Sequence, residues 1–209
     1  MTPITAELQE KPLVKAESRQ GKDDARFTLP RKYTWEQFES LELITVDSPG
    51  LRLTYLDGYI EFMTLGELHE SISNLFVILL SLYFREKRIE FFPVGSATRR
   101  DRARDVSFEP DQSFYIQEKK SELDLAIEII ITSGSIDKLA KYKRFQVQEV
   151  WFWENDQLAV YQLDQNQDYQ LANTSNFLPD VDLNVLANCV QMSSTLAATD
   201  QWIKHIQSH

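Results

Sequence analysis

"LDLAIEIII", residues 123–131, is the stretch on which the fold turns. It is rich in β-branched residues and apolar at nearly every position, the signature of a central strand covered on both faces. Alternation puts Leu125, Ile127, Ile129 and Ile131 on one face and Asp124, Ala126, Glu128 and Ile130 on the other. Glu128 is the anomaly. A carboxylate in a covered strand is costly unless it is paired, protonated or bound to a metal ion. A sheet-edge glutamate, or one paired with a nearby lysine, is the plainer reading, and a functional carboxylate is the alternative.

Moving outward, "SFEPDQSFYI" (107–116) upstream reads as a strand with Asp111 at its head. Pro-Asp is a common turn dipeptide. If this strand pairs beside 124–131, Asp111 and Glu128 meet at corresponding strand ends. Two bare carboxylates about 4 Å apart repel by roughly 4 kcal/mol at an effective dielectric near 20. A divalent cation reverses that sign, and an oxygen-only donor pair suits magnesium or manganese. Downstream, Ser135 can cap a helix from Ile136 to about Gln146, with Lys138 on its first turn. Lys138 is either a surface lysine or a cation swung back to the strand ends, where it can orient a water and stabilise charge on a phosphate.

The remaining pattern fits a mixed α/β domain built on a sheet of five or so strands with helices. "TWEQFESL" opens a short helix with capping-box spacing between Thr34 and Gln37. "LRLTYLDGYIEFM" (51–63) is a hairpin around Asp57-Gly58, and "EVWFW" and "QLAVYQL" form a second around Asn155-Asp156. In "GELHESISNLFVILLSLYFREKR" the residues Leu68, Ile72, Leu75, Phe76, Leu79, Leu82 and Tyr83 make one helical stripe. "IEFFPVG" is a strand, and the arginine-rich link after it is a loop. "VDLNVLANCV" and "ATDQWIKHIQ" are weaker helices. Residues 1–26 are polar and aperiodic and read as a flexible arm, 27–190 as the domain, and 191–209 as a C-terminal helical extension.

Composition bounds the function. A single cysteine, Cys189, excludes an internal disulfide and fits a reducing, cytoplasmic setting. The longest apolar run, "LFVILLSLYF" (75–84), is too short to span a membrane, and the N-terminus lacks a signal-peptide core. A net charge of −10 argues against indiscriminate nucleic-acid binding. The charge is uneven, however. Basic side chains crowd residues 85–104 and 137–144, bracketing the Asp111 strand, and the acids concentrate after residue 145. Such runs are ordinarily solvated faces.

Five segments in order, "YLDGYIEFM", "ELHESI", "EPDQSFYI", "LAIEIIITSGSIDKLAKY" and "VQEVWFWENDQLAVYQL", resemble the Uma-type restriction endonucleases of bacteria, within the PD-(D/E)xK nuclease superfamily. The resemblance covers roughly residues 30–188. It implies a restriction-endonuclease-like α/β core and a phosphodiesterase site dependent on Mg2+ or Mn2+. Asp111 stands at the family's PD aspartate and Glu128 at its (D/E) position. The usual lysine position holds Ile130, and Lys138, on the following helix, matches the family's displaced lysine, with Lys141 a turn later. His69 falls where members carry a helix-start histidine, and Glu70 where a helix acid joins the metal shell. The resemblance also implies DNA as partner, with Arg99, Arg100, Arg102 and Arg104 against its backbone. A two-fold dimer is expected on symmetry grounds for an enzyme that cuts both strands. Two other readings stay open: a nuclease-like fold kept as a non-catalytic binding module, and a small-molecule phosphodiesterase.

Overall fold

The structure is a computed structural model that describes residues 24–131, 138–178 and 180–208. The stretch 123–131 forms β8 (Leu125–Ile130), and all six of its residues are buried. It lies between β7 (Gln112–Ile116), antiparallel to it, and β9 (Glu149–Glu154), parallel to it. The two faces behave as the alternation predicts. Leu125, Ile127 and Ile129 join one core, with Phe76 and Leu79 of helix α2 (Glu67–Lys87), Trp151 and Trp153. Ala126 and Ile130 join a second, with Phe108, Tyr142 and Val147. The parallel step from β8 to β9 needs a crossover, which carries helix α3 (Leu139–Arg144). Ser135 and Ile136 lie outside the described residues.

The single sheet expected from sequence is two. β8 is central in a six-stranded sheet ordered β11-β10-β9-β8-β7-β4, with β4 (Phe91–Pro93), β10 (Gln157–Leu163) and β11 (Tyr169–Ala172). A second sheet of five strands has the order β1-β3-β2-β6-β5, with β1 (Ala25–Thr28), β2 (Leu51–Leu56), β3 (Tyr59–Thr64), β5 (Arg99–Asp101) and β6 (Val106–Phe108). "SFEPDQSFYI" is therefore divided. Its first residues pair with β2 (Tyr55↔Ser107) and its last with β8 (Phe114↔Leu125). Between them, Pro110 has no N–H for either ladder. Glu109-Pro110-Asp111 is the passage from one sheet to the other. The arginine-rich link, expected as a loop, contributes β5, paired with β6 (Arg100↔Ser107).

Both hairpins form as read. Asp57 and Gly58 take φ of 51° and 88°, and Asn155 and Asp156 take 51° and 59°, the left-handed pair that two-residue turns require. Helix α1 (Trp35–Thr45) starts at the capping box: Thr34 Oγ1 accepts from Gln37 N–H, and the Gln37 side chain accepts from Thr34 N–H. The two weaker helical stretches form α4 (Leu183–Val190) and α5 (Thr195–Ser208). Trp202 of α5 is fully buried, donates to the Leu79 carbonyl at 2.8 Å and stacks on Tyr83, so α5 shares the core of α2. Residues 24–26, at the end of the expected arm, are ordered by pairing: Ala25 and Arg26 lie in β1, and buried Asp24 accepts from the Gly66 N–H at the start of α2. Among the described residues no helix is long and apolar enough to cross a membrane.

Glu149, the first residue of β9, is a buried carboxylate that sequence reading passed over. It accepts from Trp151 Nε1 (2.6 Å) and Ser175 Oγ (2.6 Å) on one oxygen, and from Asn176 N (2.8 Å) and Gln162 Nε2 (3.2 Å) on the other. These donors are all neutral and pin the 175–178 loop to the sheet. Glu149→Gln turns one acceptor into a donor facing donors. A loss of about 1–3 kcal/mol in urea unfolding is expected; an unchanged midpoint would mean the loop is held by other contacts.

Candidate active site

Where the chain passes between the sheets, Asp111 sits opposite the end of β8. The β7–β8 register (Gln112↔Ile127) carried one step further faces Asp111 to Glu128, and Ile129 N–H donates to Asp111 Oδ2 at 2.8 Å. Asp111 and Glu128 are 2% and 1% exposed, so both must be compensated inside the protein.

Asp111 is held from three directions. Its Oδ1 accepts from Arg52 Nη1 of β2 at 2.7 Å. Its Oδ2 lies 3.1 Å from His69 Nε2 of α2 and also takes the Ile129 N–H. A carboxylate opposite Nε2 requires the proton on that nitrogen. His69 is buried, which pulls its pKa down, but the hydrogen bond and charge of Asp111 and the charge of Asp24 outweigh this and raise it. Glu70, the next residue on α2, is half exposed and reaches towards Arg52 Nη2 at 4.0 Å. Arg52 Nε lies 3.5 Å from Glu109.

Among the described residues, Glu128 is held from α3 and its N-cap Lys138. Lys138 Nζ donates to Oε2 at 2.9 Å, Lys141 Nζ lies 2.8 Å from Oε1, and the Tyr142 hydroxyl donates to the same Oε1. Burial pushes Glu128 up, and the two lysine charges reverse this and hold it well below the usual carboxylate range. One carboxylate cannot fully compensate two ammoniums. Lys141 is accordingly shifted down, by burial first and then by Lys138, against the pull of Glu128. Burial and the neighbouring Glu128 push Tyr142 well above its ordinary value. Lys141 also lies over the Phe108 ring, 4.8 Å from its centre.

The fold thus gathers Asp111, Glu128, Lys138, Lys141 and His69, with Glu70 at the margin. Arg52 and Tyr142 belong to the same site and were missed. Tyr142 had a signal: it lies four residues after Lys138, one turn along the same helix face. Arg52 had none, being separated from Asp111 by a long stretch of chain and one change of sheet. The four arginines lie on β5 and the turn after it, facing protein partners. Arg99 donates to the Tyr115 hydroxyl, Arg100 pairs with Glu39 and Glu42, Arg102 with Glu36, and Arg104 with Asp101. Among the described residues no group of three or more His, Cys, Asp or Glu side chains is set to hold a metal ion.

An antiparallel and a mixed sheet with five described helices, and a covered strand bearing a buried acid opposite a second acid, define a restriction-endonuclease-like α+β fold. The profile of the Uma2 family, described as "Putative restriction endonuclease", matches residues 35–197. The chain belongs to this family. No curated protein matches it.

Proposed function

We propose that the protein is a metal-dependent endonuclease that hydrolyses phosphodiester bonds in DNA. The observation that carries this reading is the pair of buried carboxylates, Asp111 and Glu128, which face each other when the β7–β8 register is carried one step beyond Gln112↔Ile127, with Lys138 Nζ 2.9 Å from Glu128. The side chains fit a hard divalent cation. Their donors are carboxylate oxygens, and magnesium binds through one or two carboxylates while keeping its remaining water. The local charge is also suitable: five acids (Asp24, Asp111, Glu128, Glu70, Glu109) stand against three basic side chains (Arg52, Lys138, Lys141) and His69.

Asp111 and Glu128 would hold the ion, with Glu70 as an outer contributor. Bound there, Mg2+ or Mn2+ supplies Lewis acidity to the scissile phosphate and lowers the pKa of a bound water. The protein's share is orientation. His69 and the Ile129 N–H fix one oxygen of Asp111. Lys141 and Tyr142 fix Oε1 of Glu128, which leaves Oε2 on the side of Lys138. Lys138 then aims the attacking water and stabilises negative charge gathering on the phosphate. The exposed ion pairs of Arg100, Arg102 and Arg104 are weak and exchangeable, so DNA phosphates can compete for these arginines.

The test is cleavage of supercoiled plasmid and of single-stranded DNA with Mn2+ by wild type and Asp111→Asn. Wild type is expected to nick plasmid, and Asp111→Asn to lose at least about 100-fold in rate. Cleavage by the variant at the wild-type rate would sink the assignment. The rival reading, a binding module on a nuclease-like fold, draws on Ile130 at the usual lysine position. DNA binding by wild type with no cleavage of either substrate would favour it.

A further inference from the structure

Asp111 has two oxygens with different company. Oδ2 is committed to the fold, taking the backbone N–H of Ile129 and the imidazole of His69. Oδ1, the oxygen left for a ligand, carries the guanidinium of Arg52 at 2.7 Å. Arg52 is unusual for its place. β2 sends Leu53 and Tyr55 into the small core around Trp35 and Phe38, while Leu56, on Arg52's face, packs against the core that lines Glu128's side. On that face, Arg52 is the cation among three acids: Asp111, Glu109 at 3.5 Å and Glu70 at 4.0 Å. Its side chain is only 17% exposed, so little water screens these contacts.

We propose that Arg52 is the resident counter-ion of the site, holding Asp111 until a divalent cation takes Oδ1, and that it thereby sets the affinity for that cation. This rests on the metal reading above and adds a positioning residue to it. A guanidinium and a divalent ion cannot both sit against one carboxylate oxygen without strong repulsion. Each must therefore weaken the other's hold, by the same factor. In the free protein Arg52 neutralises a buried acid that would otherwise be uncompensated from that side. Once displaced, it still has Glu70 and Glu109 within reach.

The experiment is calorimetric titration of Mn2+ into the full chain at fixed pH and salt, for wild type, Arg52→Gln, Arg52→Lys and Asp111→Asn. Arg52→Gln is expected to bind about tenfold more tightly than wild type, within the usual range of coupling between sites. Arg52→Lys, which keeps the charge, is expected to stay near wild type, and Asp111→Asn to lose the site. Arg52→Met, which keeps the packed stem, replaces the glutamine variant if that one does not fold, with the same tightening expected. Unchanged or weaker binding by the neutral variants, with loss in Asp111→Asn, overturns the role of Arg52 and leaves the metal reading intact. Binding that ignores Asp111→Asn, or no binding by any protein, overturns both.

Discussion

Glu128→Gln is expected to lower the thermal midpoint by on the order of 10 °C and to abolish DNA cleavage. Glutamine keeps the shape and removes the charge. Lys138 and Lys141 are then left side by side with no counter-charge, and the Tyr142 hydroxyl faces a weaker acceptor. Breaking a buried pair by removing one partner costs about 3–5 kcal/mol. For a chain of this size each kcal/mol moves the midpoint by roughly 2–4 °C. The pH dependence has a definite sign. Glu128 is held below its unfolded value, so its contribution is present above that value, near pH 4.5, and is lost as the pH falls below it. The gap between wild type and variant should therefore narrow in acid. A glutamine variant as stable as wild type at neutral pH would mean that the lysines lose nothing when their partner goes, against the geometry of α3.

The contrast with Glu149 sharpens this. Both glutamates are buried in neighbouring parallel strands. Glu149 is surrounded by neutral donors that exhaust its oxygens, so it has nothing to exchange with a ligand. Glu128 is compensated by two ammonium groups and one hydroxyl, so its partners carry charge where those of Glu149 do not. The sequence distinguishes them only in part. "LDLAIEIII" announces Glu128 because everything around it is apolar, whereas "QEVWFW" places Glu149 at a strand start, where an acid is unremarkable.

The same logic explains what was legible in the fold. Hairpins were readable because a left-handed turn leaves its mark in two adjacent residues, and α1 because its cap lies within three positions. The division into two sheets was not readable. Apolar alternation runs from Val106 to Phe108 and resumes at Phe114, and only non-local pairing with β2 or β8 assigns each half to its sheet. Arg52 was hidden for the same reason, since its partner lies across that division. Lys138 was found through the resemblance to a family whose lysine sits on the following helix; spacing alone left it a surface lysine as readily as a site cation.

Lys138 and Lys141 bind opposite oxygens of one carboxylate, and their replacements should separate rate from stability. Lys138 caps the start of α3, is 11% exposed and reaches Oε2. Lys138→Ala is expected to cut the cleavage rate by about 100- to 1000-fold, the usual cost of losing one charge-stabilising group. Its stability should change little, because Lys141 and Tyr142 still hold Glu128. Lys141 is 8% exposed, reaches Oε1 and lies against the rings of Phe108 and Tyr142. A desolvated ammonium over aromatic rings contributes about 2 kcal/mol in addition to its ion pair. Lys141→Ala should therefore destabilise by about 2–4 kcal/mol and slow cleavage less than Lys138→Ala does, provided both are assayed well below their midpoints. Single-turnover cleavage with excess enzyme, alongside urea unfolding of the same preparations, measures both quantities. Wild-type cleavage by Lys138→Ala, with loss in a folded Lys141→Ala, would transfer the catalytic role to the deeper lysine. The pair is then read through a double-mutant cycle with Glu128→Gln in urea unfolding: two groups that act through one carboxylate must be non-additive with its removal, and the lysine whose effect on stability vanishes in that background is the one that works through Glu128 alone.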